Sequence, residues 1–297
     1  LKLFCFEGLG RPWAVDGLGA PAGGSRQTTG GPPAMWFGQF FLDSCIVCSD
    51  LSLFGTFLAV FLKLQTSRSS AGLSLQTLFT VVSARTLHLI SHFVRLHYQP
   101  AAVPWIVFPM VDVVNAALGI TCVAMFSLFY YSTYDKDKDN FGIQAIERLG
   151  LLPKGVSLFH RNVVAMSFLY SVIAVMALLW YFVRRSHHSF ALSYFCCFYE
   201  AMSAVALVPQ LWMFHQDKRV QPLLANFVVL TAMSRVCTLT FWIAYPWVYR
   251  WSYPDNRGIQ MASETLNILI LSDFLYYWIR AKLRGQSEVT IGDGMPV

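Results

Sequence analysis

Charged residues are scarce in this sequence. Asp, Glu, Lys and Arg together make up 13% of its 297 residues, whereas soluble domains contain about 25%. Hydrophobic residues make up 56%, and the mean hydropathy is +0.49. The shortage of charge excludes a large soluble domain and indicates a polytopic membrane protein.

Patterns that hold metals, cofactors or catalytic groups are also lacking. The seven cysteines show no metal-ligand spacing, so neither a metal site nor a disulfide framework is predicted. The sequence has no HExxH motif, no clustered carboxylates and no nucleophile–base pattern. The net charge of +6 is spread over short loops, which does not favour nucleic-acid binding. We therefore expect no metal, no cofactor and no enzymatic activity.

The first 34 residues differ from the rest, being rich in Gly and Pro. They lack the basic segment joined to an apolar segment that a signal peptide has. We expect residues 1–34 to be disordered or a non-native extension, residues 35–282 to form the membrane domain, and residues 283–297 to form a cytoplasmic tail.

Seven stretches are apolar enough to cross a bilayer, which takes about 20 residues. They lie at about 44–64, 75–94, 102–131, 162–183, 189–214, 223–248 and 261–279. The fold class predicted is an all-α membrane protein in which two parallel three-helix repeats flank a fourth, linking helix.

Loop lysines and arginines indicate the orientation of these helices. Most of them fall in residues 63–68, 134–161, 218–219 and 280–284, which lie on one side if seven helices alternate. Basic loops remain cytoplasmic. We therefore expect a lumenal N-terminus and a cytoplasmic C-terminus.

Ionisable groups inside the spans are few, and each is costly at membrane depth. They are Asp50, Arg85, His88, Asp112, Glu200, Arg235, Glu264 and Asp273. The residues nearer to helix ends, Asp50 and Asp112, are interpreted as structural, and Glu264 as solvated.

Arg85 and Arg235 lie near the middle of their spans, where the side chain cannot reach the interface. Each requires a carboxylate, and Glu200 and Asp273 are the candidates. If one arginine is left over, an anionic ligand would supply the charge, because the guanidinium suits a carboxylate. The hypothesis is a positively biased cavity that binds a carboxylate, and the alternative is two internal ion pairs.

Four segments in order form a recognisable set, namely RSSAGLSLQT (68–77), TYDKDKDNF (133–141), YEAMSAVALVPQL (199–211) and SETLNILILSDFLYYW (263–278). Between the last two, Arg235 is followed seven residues later by Trp242. Together they resemble the KDEL receptor (ER lumen protein-retaining receptor) family. The resemblance covers residues 62–282, and the amino acids of these segments are closer to the divergent receptor-like branch of the family.

The resemblance implies a SWEET-like, PQ-loop arrangement of the seven helices. It implies a lumenal cavity that captures C-terminal tetrapeptides of ER lumenal proteins in the Golgi, and vesicle coat machinery that returns the complex. The expected location is therefore the ER and Golgi membranes, in contact with membrane lipids.

The resemblance also implies roles for individual residues. Arg85 matches the arginine that binds the carboxylate of the peptide, and Glu200 and Arg235 match an ion pair that rearranges on binding. Trp242 and Asp273 match cavity residues, and His88 stands in the cavity where the family has an aspartate.

Other positions depart from the family pattern. Tyr245 replaces an arginine that reads an acidic side chain of the signal, and Ile46 and Leu53 lie near the family's helix-one arginine and histidine. These departures predict an altered side-chain specificity. They also leave His88 as the histidine inside a span that could titrate between Golgi and ER pH.

A second function, a small-solute transporter of the PQ-loop type, is the alternative. Fold alone does not separate the two. A transporter is expected to have helix breaks in both repeats, but Pro209-Gln210 in the fifth span has no counterpart in the first.

Overall fold

The computed structural model describes residues 33–98, 107–150, 158–184, 190–248 and 257–291. The predicted extension at 1–34 lies almost wholly outside these residues, and the first helix begins at Pro33. The helices are α1 (Pro33–Ser67), α2 (Leu75–Tyr98), α3 (Val107–Phe129), α4 (Ile143–Arg148), α5 (Leu158–Arg184), α6 (Phe190–Val205), α7 (Val208–Asp217), α8 (Pro222–Val248) and α9 (Arg257–Leu283). The strands are β1 (Arg219–Val220) and β2 (Val289–Thr290).

The all-α membrane class is confirmed. Among the described residues, five stretches are long and apolar enough to cross a membrane, namely Phe37–Ser67, Met110–Phe129, Asn162–Val183, Ser193–Asp217 and Pro222–Val248. The other two predicted spans are helices of sufficient length, with 24 residues in α2 and 27 in α9. Their polar residues lower the hydropathy, because both helices carry the ionisable groups of the candidate site.

The stretch Ser193–Asp217, which corresponds to the fifth predicted span, is interrupted, as Pro209 predicts. Its first part, α6, ends at Val205, a turn follows at 206–207, and α7 begins at Val208. Pro209 lies in the first turn of α7, where the missing N–H breaks no helical hydrogen bond. The interruption frees backbone groups near Gln210.

Helix packing follows the polar and small residues. Helix α1 packs along α8, α2 packs against α3 and α6, and α9 packs against α6 and α8. Ser49 Oγ lies 2.9 Å from Ser234 Oγ and 3.0 Å from Thr238 Oγ1 between α1 and α8. A side-chain hydrogen bond between membrane helices contributes about 0.6 kcal/mol.

Gly119 permits the close contact of α3 with α2. A Cβ at this position would lie 2.9 Å from Val82 Cγ2 and 3.1 Å from Phe57 Cε1. Both distances are shorter than a relaxed van der Waals contact, so the missing side chain lets the backbones approach. Gly119 therefore fixes which residues of α3 face α2.

The segment after α9 folds back onto the bundle. Gly285 has a φ of 69°, and Gln286 N donates to Ala281 O at 3.0 Å, which closes the helix end. Strand β2 then pairs antiparallel with β1, with Val289 opposite Val220. Val289 and Ile291 are buried, so this part of the predicted tail is packed against the loop between α7 and α8.

Candidate functional site

Gln210, which follows the break between α6 and α7, is fully buried and extensively hydrogen-bonded. Its Oε1 accepts from Ser74 N at 2.8 Å, and its Nε2 donates to Gly72 O at 2.8 Å. Its backbone N donates to Thr77 Oγ1 at 2.9 Å. One glutamine therefore holds the start of α7 against the loop that precedes α2.

Asp139 holds the same loop from the other side. Its Oδ1 accepts from Ser74 Oγ at 2.7 Å, and its Oδ2 accepts from Gln76 N at 3.2 Å and from the Tyr134 hydroxyl. Burial raises the pKa of Asp139, and the hydrogen bonds from Tyr134 and Ser74 oppose that rise. We call Gln210, Asp139 and their partners the Gln210 network.

Two cations extend the Gln210 network. Lys63 Nζ, almost fully buried, donates to Ser69 O and Ala71 O at 2.7 Å. Lys138 Nζ lies 2.6 Å from Asp217 Oδ1. The segments that carry the family resemblance, 68–77, 133–141 and the Pro-Gln pair, thus bind one another at one end of the bundle.

Arg85 lies in the centre of the bundle, at a distance from the Gln210 network. Acids and a second arginine from four other helices interact with it electrostatically: Asp50 of α1, Asp112 of α3, Arg235 of α8 and Glu264 of α9. We call these five residues the central site. The Arg85 side chain keeps accessible surface, and within the described part of the chain no hydrogen bond or close ion pair engages it.

Arg235 pairs with Glu264. Arg235 Nη1 lies 3.4 Å from both carboxylate oxygens, and the two residues are 8% and 1% exposed. The expectation that Glu264 is solvated is therefore wrong. Charge-assisted hydrogen bonds are typically about 2.7–2.9 Å long, so this pair is loose.

Glu200 is hydrogen-bonded to α9, whereas the sequence predicts an ion pair with Arg235. Its Oε1 accepts from Gln260 Nε2 at 2.9 Å, and its backbone O accepts from Ser263 Oγ at 3.4 Å. Both donors belong to α9. The Glu200–Arg235 pair remains a prediction.

His88 lies one turn beyond Arg85 on α2 and contacts an acid and an aromatic ring. Its Nδ1 lies 3.7 Å from Asp112 Oδ2, and its ring packs edge-on against Tyr199 at 5.3 Å between centroids. Because Asp112 also interacts with Arg85, protonation of His88 would alter the charge at the central site.

The two remaining candidates lie elsewhere. Trp242 is fully buried in an apolar cluster with Leu42, Ile46, Phe241 and Tyr245. Asp273 is exposed on α9, and its place in the cavity stays a prediction. Trp242 as a cavity residue stays a prediction.

Acids outnumber arginines at the central site, since Asp50, Asp112 and Glu264 surround Arg85 and Arg235. This corrects the expectation of a positively biased cavity. A ligand carboxylate is therefore attracted by one guanidinium, that of Arg85, and not by the overall charge of the cavity.

Sequence reasoning assigned no ligand-related role to Asp50, Asp112 or Glu264, and it did not single out Gln260. A signal was present for α9. Gln260, Ser263, Glu264 and Asn267 recur at helical spacing within an apolar helix, and that period marks one polar face. All four are buried.

Comparison with known proteins identifies a family whose sequence profile this chain matches. The sequence profile of the ER lumen protein retaining receptor family matches residues 69–245. This match includes the Gln210 network and both arginines.

Curated relatives carry the same description. The ER lumen protein-retaining receptor of Dictyostelium discoideum is 27% identical over 244 residues, which cover 81% of this chain and 95% of that protein. ER lumen protein-retaining receptor A of Arabidopsis thaliana is 25% identical over 235 residues, covering 77% and 90%. ER lumen protein-retaining receptor 3 of Danio rerio is 23% identical over 244 residues, covering 80% and 92%.

Proposed function

The chain belongs to the ER lumen protein-retaining receptor family, and we propose that its central site binds the C-terminal, KDEL-like retention signals of ER lumenal proteins. The family is a receptor family and not an enzyme family. The transporter alternative is not favoured, because relatives matching at least nine-tenths of their length are named as retention receptors.

Arg85 is the observation that carries the proposal. Its guanidinium is central in the bundle, keeps accessible surface, and has charged groups from four helices around it. Arginine binds a carboxylate through two parallel hydrogen bonds, which are strong where water is excluded. The free C-terminus of a peptide supplies such a carboxylate.

The loose pair of Arg235 and Glu264 supports a rearrangement on binding. Glu264 is on α9, which also carries Gln260, the donor to Glu200. We propose that Arg235 exchanges Glu264 for Glu200 when the signal binds. Glu264 belongs to α9 and Glu200 accepts a hydrogen bond from α9, so a movement of α9 would affect both acids.

The finer architecture is part of the same proposal. Seven spans, with α2 and α9 crossing the membrane inside a PQ-loop arrangement, place the N-terminus in the lumen and the C-terminus in the cytoplasm. The protein then cycles between Golgi and ER membranes, with coat machinery and lipids as its cytoplasmic and membrane partners.

Peptide binding to the purified protein tests the proposal. A fluorescent peptide ending in Lys-Asp-Glu-Leu is expected to bind with a free C-terminus and to bind far more weakly when the C-terminus is amidated. Arg85→Ala removes the partner of the carboxylate, which costs about 2–5 kcal/mol. At tenfold per 1.4 kcal/mol, the affinity falls at least about 30-fold.

Arg219→Ala is the matched control, because Arg219 is an exposed arginine in β1, outside the central site. Its affinity is expected to equal that of the unmodified protein. Equal binding of the acid and the amide, or of Arg85→Ala and the unmodified protein, would contradict the proposal.

A further inference from the structure

Asn115 is a polar side chain that the fold leaves without a hydrogen bond. It is 0% exposed, and neither its Nδ2 nor its Oδ1 has a partner among the described residues. Leaving a buried polar group unpaired is unfavourable, and in a membrane helix no bulk water replaces the partner. An asparagine retained under these conditions requires an explanation.

The other buried amides of the bundle behave differently. Gln210 makes three hydrogen bonds, and Asn267 Nδ2 donates to Ser203 O at 3.0 Å and Ala204 O at 2.9 Å. These side chains join helices. By contrast, the Asn115 side chain has no hydrogen bond to any of the described helices or loops.

The packing of α2 on α3 places Asn115 at the depth of Arg85. The His88–Asp112 contact is one fixed point, and Gly119 against Val82 is another. Residue numbers increase from Val82 to His88 along α2 and decrease from Gly119 to Asp112 along α3 over the same distance. The two helices are therefore antiparallel. Asn115 lies one turn from Asp112, and Arg85 lies three residues before His88, which brings both to one level.

Helix periodicity also places Asn115 on the appropriate side of α3. Residues three, four and seven positions apart share a helix face. Asn115 is three residues after Asp112 and four before Gly119, and both of these residues contact α2. Asn115 therefore lies on the face that packs against α2.

We propose that Asn115 is a second ligand-binding residue, which hydrogen-bonds the last residue of a peptide whose carboxylate is held by Arg85. This inference rests on the proposed function. A carboxamide offers two N–H donors and one acceptor oxygen. A C-terminal residue offers the complement, namely carboxylate oxygens and its own backbone N–H. The unpaired amide of the empty protein thus becomes paired only in the complex.

This role predicts that replacing Asn115 weakens peptide binding without lowering the stability of the protein. Asn115→Leu keeps the size of the side chain and removes the unpaired amide. The thermal unfolding temperature without peptide is therefore expected to stay unchanged or to rise. The affinity for the free-carboxylate peptide is expected to fall by about 10-fold to 100-fold, because a polar group of the ligand is left without its partner.

Asn267→Leu is the matched control, since it removes a buried amide that does have protein partners. It is expected to lower the unfolding temperature, and the preference for the free acid over the amidated peptide is expected to persist.

The experiment measures thermal unfolding without peptide and binding of the acid and amidated Lys-Asp-Glu-Leu peptides, for the unmodified protein, Asn115→Leu and Asn267→Leu. Unchanged or raised stability with weakened binding in Asn115→Leu supports the inference. Unweakened binding overturns it, and so does a loss of stability like that of Asn267→Leu, since either marks Asn115 as structural. Failure of the unmodified protein to bind the free acid instead overturns the proposed function itself.

Discussion

Gln210 and Arg85 are both polar side chains inside an apolar helix bundle, but their surroundings differ. Gln210 is fully buried. Its side chain makes two hydrogen bonds to the loop before α2, and its backbone N donates to Thr77 in the first turn of α2. Arg85 keeps accessible surface among charges from four helices, and no described hydrogen bond engages it. The first arrangement holds the fold together, whereas we propose that a ligand completes the second.

The comparison also shows in which part of the molecule the family motifs lie. The Gln210 network consists largely of residues in the segments that resemble the family. Its role is to close one end of the bundle. We expect specificity to depend on the central site and on its neighbours His88 and Asn115. A close match in the motifs is therefore compatible with a different preferred signal.

The largest expected effect comes from breaking the Gln210 network. Gln210→Leu leaves the buried Ser74 N and the half-buried Gly72 O without their partner, at roughly 1–3 kcal/mol for each unpaired group. Thermal unfolding of the purified protein is expected to occur at a much lower temperature, while the fraction that remains folded binds peptide normally. Gln216→Leu is the control, because Gln216 is exposed and makes one hydrogen bond, at 3.2 Å.

A smaller effect is expected from the charged pair at the central site. Glu264→Leu leaves Arg235 without this partner. Breaking a well-formed buried pair typically costs about 3–5 kcal/mol, but this pair is loose, at 3.4 Å, so we expect a loss of stability below that range. The double change Arg235→Met with Glu264→Leu is expected to recover most of the stability, because no buried charge remains. If Glu264→Leu unfolds at the temperature of the unmodified protein, Glu264 does not stabilise Arg235.

The smallest expected effect concerns the pH dependence of binding. Histidine titrates near pH 6.5, and protonation of His88 adds a positive charge 3.7 Å from Asp112. An anionic peptide is therefore expected to bind several-fold more tightly at about pH 6 than at about pH 7.4. His88→Gln is expected to make the affinity equal at the two pH values. A pH dependence that survives this change would assign the titration to another group.

The sequence predicts most of the helices and the break before Gln210, because hydropathy and proline act locally. Glu264 was misjudged for a physical reason. Its span was expected to begin at residue 261, whereas α9 begins at Arg257. The carboxylate therefore lies two turns inside the helix, where it is buried.

Helix geometry separates Asp273 from Glu264. Asp273 follows Glu264 by nine residues, which at 3.6 residues per turn places the two side chains about 180° apart. Only one of them can face the bundle, and Glu264 does. Asn115 was not predicted, because nothing in a single sequence shows that a buried amide lacks a partner. That property depends on the packing of α2 against α3.

The hydroxyl contacts between α1 and α8 have a consequence for the synthesis of the protein. Ser49 and Ser234, which meet in this interface, are 185 residues apart in sequence. At about 5–20 residues per second, the ribosome needs about 10–40 s to make the intervening chain. Thr56 Oγ1 meanwhile has an acceptor in its own helix, Ser52 O at 2.9 Å. Helix α1 can therefore remain in the bilayer with the Thr56 hydroxyl already hydrogen-bonded. Its packing against α8 forms only after α8 has been synthesised.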